Sequence, residues 1–316
     1  MLLFAMNGNR GVIMIIPKPL FPGARVALVA PASAVPEEKL QPALDYVRTL
    51  GMEPVVYPSC FFTNRDGYLA ASDAQRAKDL NDAFADDAID GIWCIRGGYG
   101  GHRILPLLDA EMIKKYIKWF GGYSDVTALH TFFNQTCGFE TYHCTMPSTE
   151  PYPDAFTLNW LKKALFGELT GELLYPEENK PKSLVGGNAK GMLCGGNLSL
   201  LAASLGTPWE IDTKGKILFL EDIGEKTYRV DGMLTQLRNA GKFEDCAGII
   251  LGAWTDCPPE YPEKTLLLPE IFEQLIVPAG KPTICDVACG HVLPTMSLPM
   301  GRMCTLDAGS CNIMLA

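Results

Sequence analysis

The sequence predicts an α/β protein of two domains, the first built on a parallel sheet and the second on mixed helices and strands. The chain of 316 residues is longer than one hydrophobic core usually supports. Short apolar runs alternate with segments of helical periodicity, which is typical of a parallel sheet covered by helices. Between Pro147 and Lys190 the composition turns to Pro, Lys, Glu and Asn, which indicates a boundary between domains.

We expect four segments along the chain. Residues 1–19 are predicted to be an N-terminal extension and residues 20–170 the first α/β domain. Residues 171–185 are predicted to be a linker, and residues 186–316 the smaller second domain.

The elements of the first domain are predicted from apolar periodicity and capping signals. The apolar run that ends at Pro31 suits a buried parallel strand. Ser72 and Gln75 have the spacing of a capping box, which predicts a helix start, and Gly138 ends the last helix. The predicted elements are a strand at 25–30, a helix over 40–50, a strand at 55–57, a helix from 72, a strand at 91–95, a strand through 118–123 and a helix over 126–137.

The second domain continues with shorter elements. Gly206 is predicted to close a helix, and a hairpin is predicted around Asp307 to Gly309. The predicted elements are a connecting helix over 158–166, an apolar segment at 190–194, a helix over 197–205, a strand at 216–220, a helix over 228–240 and a strand at 248–251.

Charge and hydropathy exclude several classes of function. A net charge of −9 disfavours binding to the backbone of a nucleic acid and to an anionic membrane surface. No stretch approaches the ~20 apolar residues that span a bilayer. The apolar start, Met1 to Met6, is too short for the core of a signal peptide. We therefore predict a cytoplasmic protein without nucleic-acid or membrane partners.

The eleven cysteines are scattered, and no C-x-x-C pair occurs. Cys285 and Cys289 have neither a second pair nor a matching histidine cluster. We predict no metal site and no cofactor, and we interpret the cysteines as reduced thiols that serve as small core residues.

Two glycine-rich loops follow predicted strands, at the sheet edge where α/β proteins bind ligands. In the second loop, Gly121-Gly122-Tyr123-Ser124-Asp125 joins a strand to a helix and resembles a nucleophile elbow. The backbone N–H groups that follow such a serine can face a developing oxyanion. The alternative is that Ser124 or Asp125 simply caps the helix.

The first loop, Arg96-Gly97-Gly98-Tyr99-Gly100, lacks the spacing of phosphate-binding motifs. Its glycines free the backbone to turn N–H groups toward an anion or an oxyanion. Arg96 is either a clamp for a substrate carboxylate or a surface arginine.

A serine nucleophile needs a base and an orienting acid. Of the four histidines, His130 falls on the inward face of its helix, and His291 lies in a loop where packing gives it little reason to be. His102, just after the first glycine loop, and His143, in a strand-like segment, are the other candidates for the base. Glu221 and Asp222 follow an apolar strand, where they are candidates for the acid or for capping the next turn.

Six motifs in order resemble the L,D-carboxypeptidase family of serine peptidases, which includes muramoyltetrapeptide carboxypeptidases and microcin-immunity peptidases. Together they cover the chain from about residue 20 to its end. The motifs are Val29-Ala30-Pro31, Arg96-Gly97-Gly98-Tyr99-Gly100, Gly122-Tyr123-Ser124-Asp125-Val126-Thr127, Gly195-Gly196-Asn197-Leu198-Ser199, Leu220-Glu221-Asp222 with Glu225, and Gly290-His291 with Leu298-Pro299-Met300-Gly301.

The resemblance implies Ser124 as the nucleophile, His291 as the general base and then acid, and Glu221 as its carboxylate partner. It implies a flavodoxin-like first domain, similar to class I glutamine amidotransferases, and a smaller, swivelling β/β/α-type second domain, with the site in the cleft between them. The implied reaction releases terminal D-alanine from murein tetrapeptides in peptidoglycan recycling, and the implied assembly is a homodimer.

The same resemblance suggests an oxyanion hole made by the N–H groups of Asp125 and of Gly97 or Gly98. It also makes Arg96 and Tyr99 candidates for binding the substrate. Where the family often has His-Gly-Pro, this chain has His143-Cys144-Thr145-Met146-Pro147, so the accepted side chain is open.

Two alternatives compete with this function. One is a microcin-immunity-type hydrolase of an aminoacyl-nucleotide toxin, which would need an aromatic residue to stack on the base. Trp160 is a candidate for it, although its spacing suits helix packing. The other is a two-domain protein that binds a small molecule without catalysis.

Overall fold

The computed structural model describes residues 14–61, 68–149, 152–261 and 263–316, so most of the predicted extension, residues 1–13, lies outside the described residues. The chain divides into two compact units. Within the described residues, the first unit runs to Tyr152 and also contains Lys162–Glu168 and Pro299–Gly301. The second unit contains Pro153–Leu161, Leu169–Leu298 and Arg302–Ala316.

The first half of the chain alternates strands and helices, as predicted. Its elements are β1 Arg25–Val29, α1 Glu37–Thr49, β2 Glu53–Val56, α2 Asp73–Ala85, β3 Gly91–Cys94, α3 Gly101–Ile104, α4 Ala110–Lys115, β4 Trp119–Gly122, α5 Thr127–Phe132, β5 Thr141–His143 and α6 Ala155–Phe166.

The second half carries the remaining elements of the described chain. They are β6 Gly171–Glu172, β7 Lys182–Val185, β8 Asn188–Asn197, α7 Leu198–Ser204, β9 Ile217–Ile223, α8 Thr227–Asn239, α9 Lys242–Asp245, β10 Gly248–Thr255, α10 Leu268–Leu275, β11 Thr283–Cys285, β12 Leu298–Met300, β13 Met303–Asp307 and β14 Asn312–Leu315.

The first sheet has six strands in the order β12-β5-β4-β3-β1-β2, and β1 to β5 run parallel to one another. Both faces of this sheet are buried. Two consecutive residues of β4, whose side chains point to opposite faces, each pack against other aromatic side chains. Trp119 stacks on Tyr142, whereas Phe120 contacts Phe84 and Phe133. Burial on both faces explains why β1 and β3 are continuous apolar runs in the sequence.

Local signals locate the helix ends in this unit. The Ser72 hydroxyl accepts the Gln75 N–H at 3.2 Å, so the predicted cap of α2 is confirmed. The helix predicted over 126–137 is present, but it consists of successive segments with different helical geometry. A 3₁₀ turn at Ser124–Val126 leads into α5, and a π-helical turn at Phe133–Cys137 ends at Gly138.

The second sheet has eight strands in the order β6-β14-β13-β8-β9-β10-β11-β7 and mixes parallel with antiparallel pairs. Helices α7, α8 and α10 share one apolar core with β9 and β10. The hairpin predicted around 307–309 is confirmed as the antiparallel pair β13–β14. The α/β class, with a parallel first sheet and a second sheet, is therefore confirmed.

The segment 171–185, predicted to be a linker, contributes β6 and β7, the two outermost strands of the second sheet. Its polar composition suits edge strands, since only one side of each is paired. All eleven cysteines are free thiols and ten are buried, as predicted. In the part of the chain that the structure describes, no helix combines the length and apolarity that a membrane span requires.

Candidate active site

Ser124 lies in a strained turn between β4 and α5. Its φ is 64°, in the left-handed region, which costs a residue with a Cβ about 1–3 kcal/mol. The side chain is half-buried. A strained turn that holds a serine between a parallel strand and a helix is the geometry of a nucleophile elbow.

The capping alternative does not describe these two residues. Among the residues that the structure describes, neither the 3₁₀ turn nor α5 begins with a side-chain cap. The Asp125 carboxylate instead accepts the N–H groups of Gly100 and Gly101 at 3.3 and 2.6 Å. It is 2% exposed, and burial raises its pKa to about 6.

The glycine loop after β3 lies against Ser124. A methyl group built on Gly97 would sit 3.1 Å from Ser124 Cβ and 3.4 Å from Oγ, so the serine side chain lies close to Gly97 and leaves little room for a side chain there. Gly98 and Gly100 have φ of 109° and 129°, which L side chains rarely adopt. The structure therefore brings Ser124, Gly97 and Asp125 together at the end of the first sheet.

Arg96 and Tyr99 lie on the outer side of this loop. The Arg96 guanidinium is exposed and donates to the Ala34 carbonyl at 2.7 Å. Tyr99 is 55% exposed, and its ring lies 5.9 Å from that of Tyr68. Both side chains are accessible to a ligand.

Glu221 and His291 form a hydrogen-bonded pair in the second unit. His291 Nδ1 lies 2.7 Å from Glu221 Oε2, and the Glu221 carboxylate is fully buried. Because a carboxylate accepts and cannot donate, the neutral imidazole carries its proton on Nδ1. This tautomer places the basic lone pair on Nε2, as a general base requires.

Three neighbours hold this pair, and motif reasoning does not single out their roles. The Thr255 hydroxyl donates to the His291 carbonyl at 2.5 Å. Gly290 has a φ of 121°, and a methyl group there would lie 2.7 Å from Glu221 Oε2. Thr295 Oγ1 accepts the Gly290 N–H at 3.2 Å. The position of Thr255, at the end of β10 beside β9, is the sequence signal that could have identified it.

Asp222 has a structural role distinct from that of Glu221. Its carboxylate accepts the Ser199 N–H and hydroxyl at 2.9 and 2.7 Å, an Asn197 amide hydrogen at 3.0 Å and the Ile223 N–H at 2.8 Å. Ser199 lies in the first turn of α7, so Asp222 holds the start of that earlier helix and not the turn after β9 that was predicted. Burial raises the Asp222 pKa.

His130 is a packing histidine, as predicted. Its Nε2–H donates to the Gly122 carbonyl at 2.9 Å, and its Nδ1 accepts the Thr141 hydroxyl at 2.8 Å. Burial lowers the His130 pKa to about 4, so the ring is neutral at physiological pH. It holds Gly122, two residues before Ser124.

Family comparisons match both halves of the chain. Residues 26–144 match the model of the LD-carboxypeptidase N-terminal domain, and residues 190–306 match that of the LD-carboxypeptidase C-terminal domain. A probable murein peptide carboxypeptidase of Bacillus subtilis is 41% identical over 294 residues, which cover 92% of this chain and 91% of that protein.

Two solved structures have a similar fold. Muramoyltetrapeptide carboxypeptidase from Oxalobacter formigenes aligns with a TM-score of 0.78 at 27% identity, covering 92% of this chain and 98% of that one. The structure of MccF in complex with glutamyl sulfamoyl guanosine aligns with a TM-score of 0.87 at 21% identity, covering 95% and 98%. At the latter identity the similarity concerns the fold alone.

Proposed function

The chain belongs to the LD-carboxypeptidase family and is a carboxypeptidase, and from this premise we propose that Ser124, His291 and Glu221 form its catalytic triad. The observation that carries the proposal is the 2.7 Å bond between His291 Nδ1 and the buried Glu221 carboxylate. The strained turn at Ser124 supports the role of nucleophile. Ser124 belongs to the first unit, and Glu221 and His291 belong to the second.

The proposed reaction is acyl transfer to serine followed by hydrolysis. Ser124 Oγ attacks the carbonyl of the L-configured residue while His291 Nε2 takes the hydroxyl proton. The tetrahedral intermediate collapses, the C–N bond breaks, and the imidazolium gives its proton to the leaving amine. Water, activated by the same imidazole, then hydrolyses the ester and restores Ser124. Glu221 stabilises the imidazolium in both steps.

Backbone N–H groups are the proposed oxyanion donors. Asp125 N–H follows the nucleophile directly, and the closeness of Gly97 to the Ser124 side chain supports a donor from Gly97 or Gly98. Loss of one such donor typically lowers kcat by about 10²–10³-fold. Burial of Gly97 against the serine supports its position near the reacting carbonyl.

The proposed substrate is a murein tetrapeptide from which the terminal D-alanine is released. The names of the relatives from Bacillus subtilis and Oxalobacter formigenes support this substrate class. Arg96 is proposed to bind the terminal carboxylate, for which a guanidinium is well suited, and Tyr99 to contact the peptide. The exposure of both side chains is compatible with these roles.

We also propose a fold for each domain, a cellular location and an oligomeric state. A flavodoxin-like first domain is supported by the strand order β2-β1-β3-β4-β5. We propose a first domain at 20–170 and a second domain of the swivelling β/β/α type, which comprises 186–316 together with the edge strands β6 and β7. A cytoplasmic location is supported by eleven free thiols, and a homodimer is proposed from the family resemblance.

The microcin-type alternative loses its candidate for stacking. Trp160 is 3% exposed and packs with Phe156 at 6.1 Å between ring centroids. A side chain in that position contributes to helix packing. Family membership likewise argues against a protein that binds without catalysis.

Product analysis tests the proposed function. The protein is incubated with a defined murein tetrapeptide, and free D-alanine and tripeptide are measured by mass spectrometry. An aminoacyl sulfamoyl adenosine serves as the competing substrate. Release of D-alanine supports the proposal; turnover of the nucleotide alone would replace it with the microcin-type function.

A further inference from the structure

The Asp125 carboxylate is placed to control where the glycine loop lies. Gly100 and Gly101 belong to the loop that follows β3, whereas Asp125 belongs to the turn that follows β4. Two hydrogen bonds therefore join the ends of two neighbouring parallel strands. The fit at Gly101 is tight, since a methyl group there would lie 2.7 Å from Asp125 Oδ2 and 3.0 Å from its carbonyl oxygen.

Two buried side chains of opposite charge hold Gly100, one through its N–H group and the other through its carbonyl group. Its N–H donates to Asp125, and its carbonyl accepts from the Arg76 guanidinium at 2.9 Å. Arg76 is fully buried and also donates to the carbonyls of Pro31 and Ala71. Burying a charge is costly unless it is bonded in this way, so the two charged groups specify one position for the loop.

A third contact fixes the near end of the loop. The Ser33 hydroxyl accepts the Tyr99 N–H at 3.0 Å, and the Ser33 N–H donates to the Gly97 carbonyl at 3.2 Å. Within the described part of the chain, the N–H groups of Gly97 and Gly98 donate to no other group. Hydrogen bonds therefore hold the loop before and after the N–H groups of Gly97 and Gly98, and these two donors remain available beside Ser124.

We propose that the side chain of Asp125 is a positioning residue, which holds the glycine loop so that a Gly97 or Gly98 N–H meets the oxyanion formed on attack by Ser124. The inference rests on the proposed serine mechanism and adds a role for a carboxylate that does not touch the substrate. It assigns a separate task to each half of Asp125: the N–H stabilises the oxyanion, and the carboxylate aligns the second donor.

The test compares Asp125→Asn with Asp79→Asn. The amide introduced by Asp125→Asn retains one acceptor but turns its own N–H toward a glycine N–H, which displaces the loop. Asp79 is the matched control, because it is also a buried carboxylate of the first unit that accepts a backbone N–H, from Ser59 at 2.6 Å, away from Ser124. The measurements are kcat and KM for D-alanine release, the rate of labelling by a fluorophosphonate, and Tm.

We expect Asp125→Asn to lower kcat and the labelling rate together by roughly 10- to 100-fold, with KM little changed, because the donor is misplaced in the transition state. Asp79→Asn is expected to lower Tm to a similar extent without this loss of rate. A folded Asp125→Asn protein that keeps the wild-type labelling rate, or in which only KM changes, would overturn the inference.

Two further arms keep the result interpretable. If the wild type is labelled but releases no D-alanine, the proposed substrate fails, while the labelling rates still decide the role of Asp125. If Asp125→Asn does not fold, Gly101→Ala replaces it, since the added methyl group would lie 2.7 Å from Asp125 Oδ2 and press on the carboxylate from the side of the loop. An unchanged labelling rate in folded Gly101→Ala would then refute the role of Asp125 in holding the loop.

Discussion

Nδ1 of His291 lies 2.7 Å from Oε2 of Glu221, and no part of the Glu221 side chain is exposed. The pair couples β9 to the loop that follows β11 and fixes one tautomer of the imidazole. A fixed tautomer presents Nε2 for proton transfer on every turnover.

Glu221→Gln is expected to reduce kcat by about 10⁴-fold, because an amide can stabilise the wrong tautomer and no longer compensates the imidazolium charge. The measurement is the steady-state release of D-alanine. Asp222→Asn is the control, because Asp222 is also a buried carboxylate on β9. This variant is expected to have a lower Tm and a kcat close to that of the wild type. Equal losses of kcat in the two variants would contradict the special role of Glu221.

Ser124→Ala is expected to lower D-alanine release by roughly 10⁴-fold or more, as in other catalytic triads. The same variant should lose covalent labelling by a fluorophosphonate, which peptide mapping can localise. Ser310→Ala, in an exposed turn of the second unit, should keep both activities. Labelling that persists in Ser124→Ala would place the nucleophile elsewhere.

Gly290→Ala is expected to lower kcat by roughly 10-fold and stability by about 1–3 kcal/mol, since its methyl group would press on the Glu221 carboxylate. Gly187→Ala is the control, because Gly187 has a nearly equal φ of 124° and faces only the Pro282 ring, at 3.2 Å. Backbone strain should then be similar in the two variants. A kcat that falls equally in both would show that strain alone is responsible.

Acidification should destabilise the first unit through His130. The ring has a pKa of about 4 in the folded state and an ordinary value of 6.5 when unfolded. Below pH 6.5 the unfolded chain therefore binds a proton that the folded chain excludes, and stability falls until about pH 4. The loss attributable to His130 is about 3 kcal/mol.

The measurement is the free energy of unfolding in urea between pH 7 and pH 4, for the wild type and for His130→Gln. The difference between the two curves isolates His130 from carboxylates such as Asp125. Burial raises the Asp125 pKa from 3.8 to about 6. The contribution of Asp125 to the free energy of unfolding therefore falls as the pH rises from 3.8 to 6, whereas the contribution of His130 increases with pH. Parallel curves for the two proteins would contradict the prediction.

Local sequence signals predict those parts of the fold that are determined by residues close together in the sequence. The capping pair Ser72–Gln75 locates the start of α2, and the apolar runs of β1 and β3 locate two buried strands. The edge strands β6 and β7 are not predicted, because they are short and polar and gain their hydrogen bonds from distant segments.

The candidate site divides in the same way. Motifs indicate Ser124, Glu221 and His291, whose roles stay predictions until the variants are measured. The carboxylate of Asp125 and the hydroxyl of Thr255 act on backbone groups far along the chain, at Gly100–Gly101 and His291. A place at a strand end makes Thr255 a candidate, but only the folded arrangement of the strand ends identifies the backbone groups that Thr255 and Asp125 contact.

The last strand of the first sheet, β12, has a consequence for synthesis of the chain. It pairs with β5, which ends at His143, yet β12 itself begins at Leu298. While a ribosome is still translating the intervening residues, β5 exposes a row of unpaired N–H and carbonyl groups that can recruit strands from other nascent chains. A fragment that stops at residue 170 retains this open edge permanently, and truncation should therefore favour aggregation over a soluble half-protein.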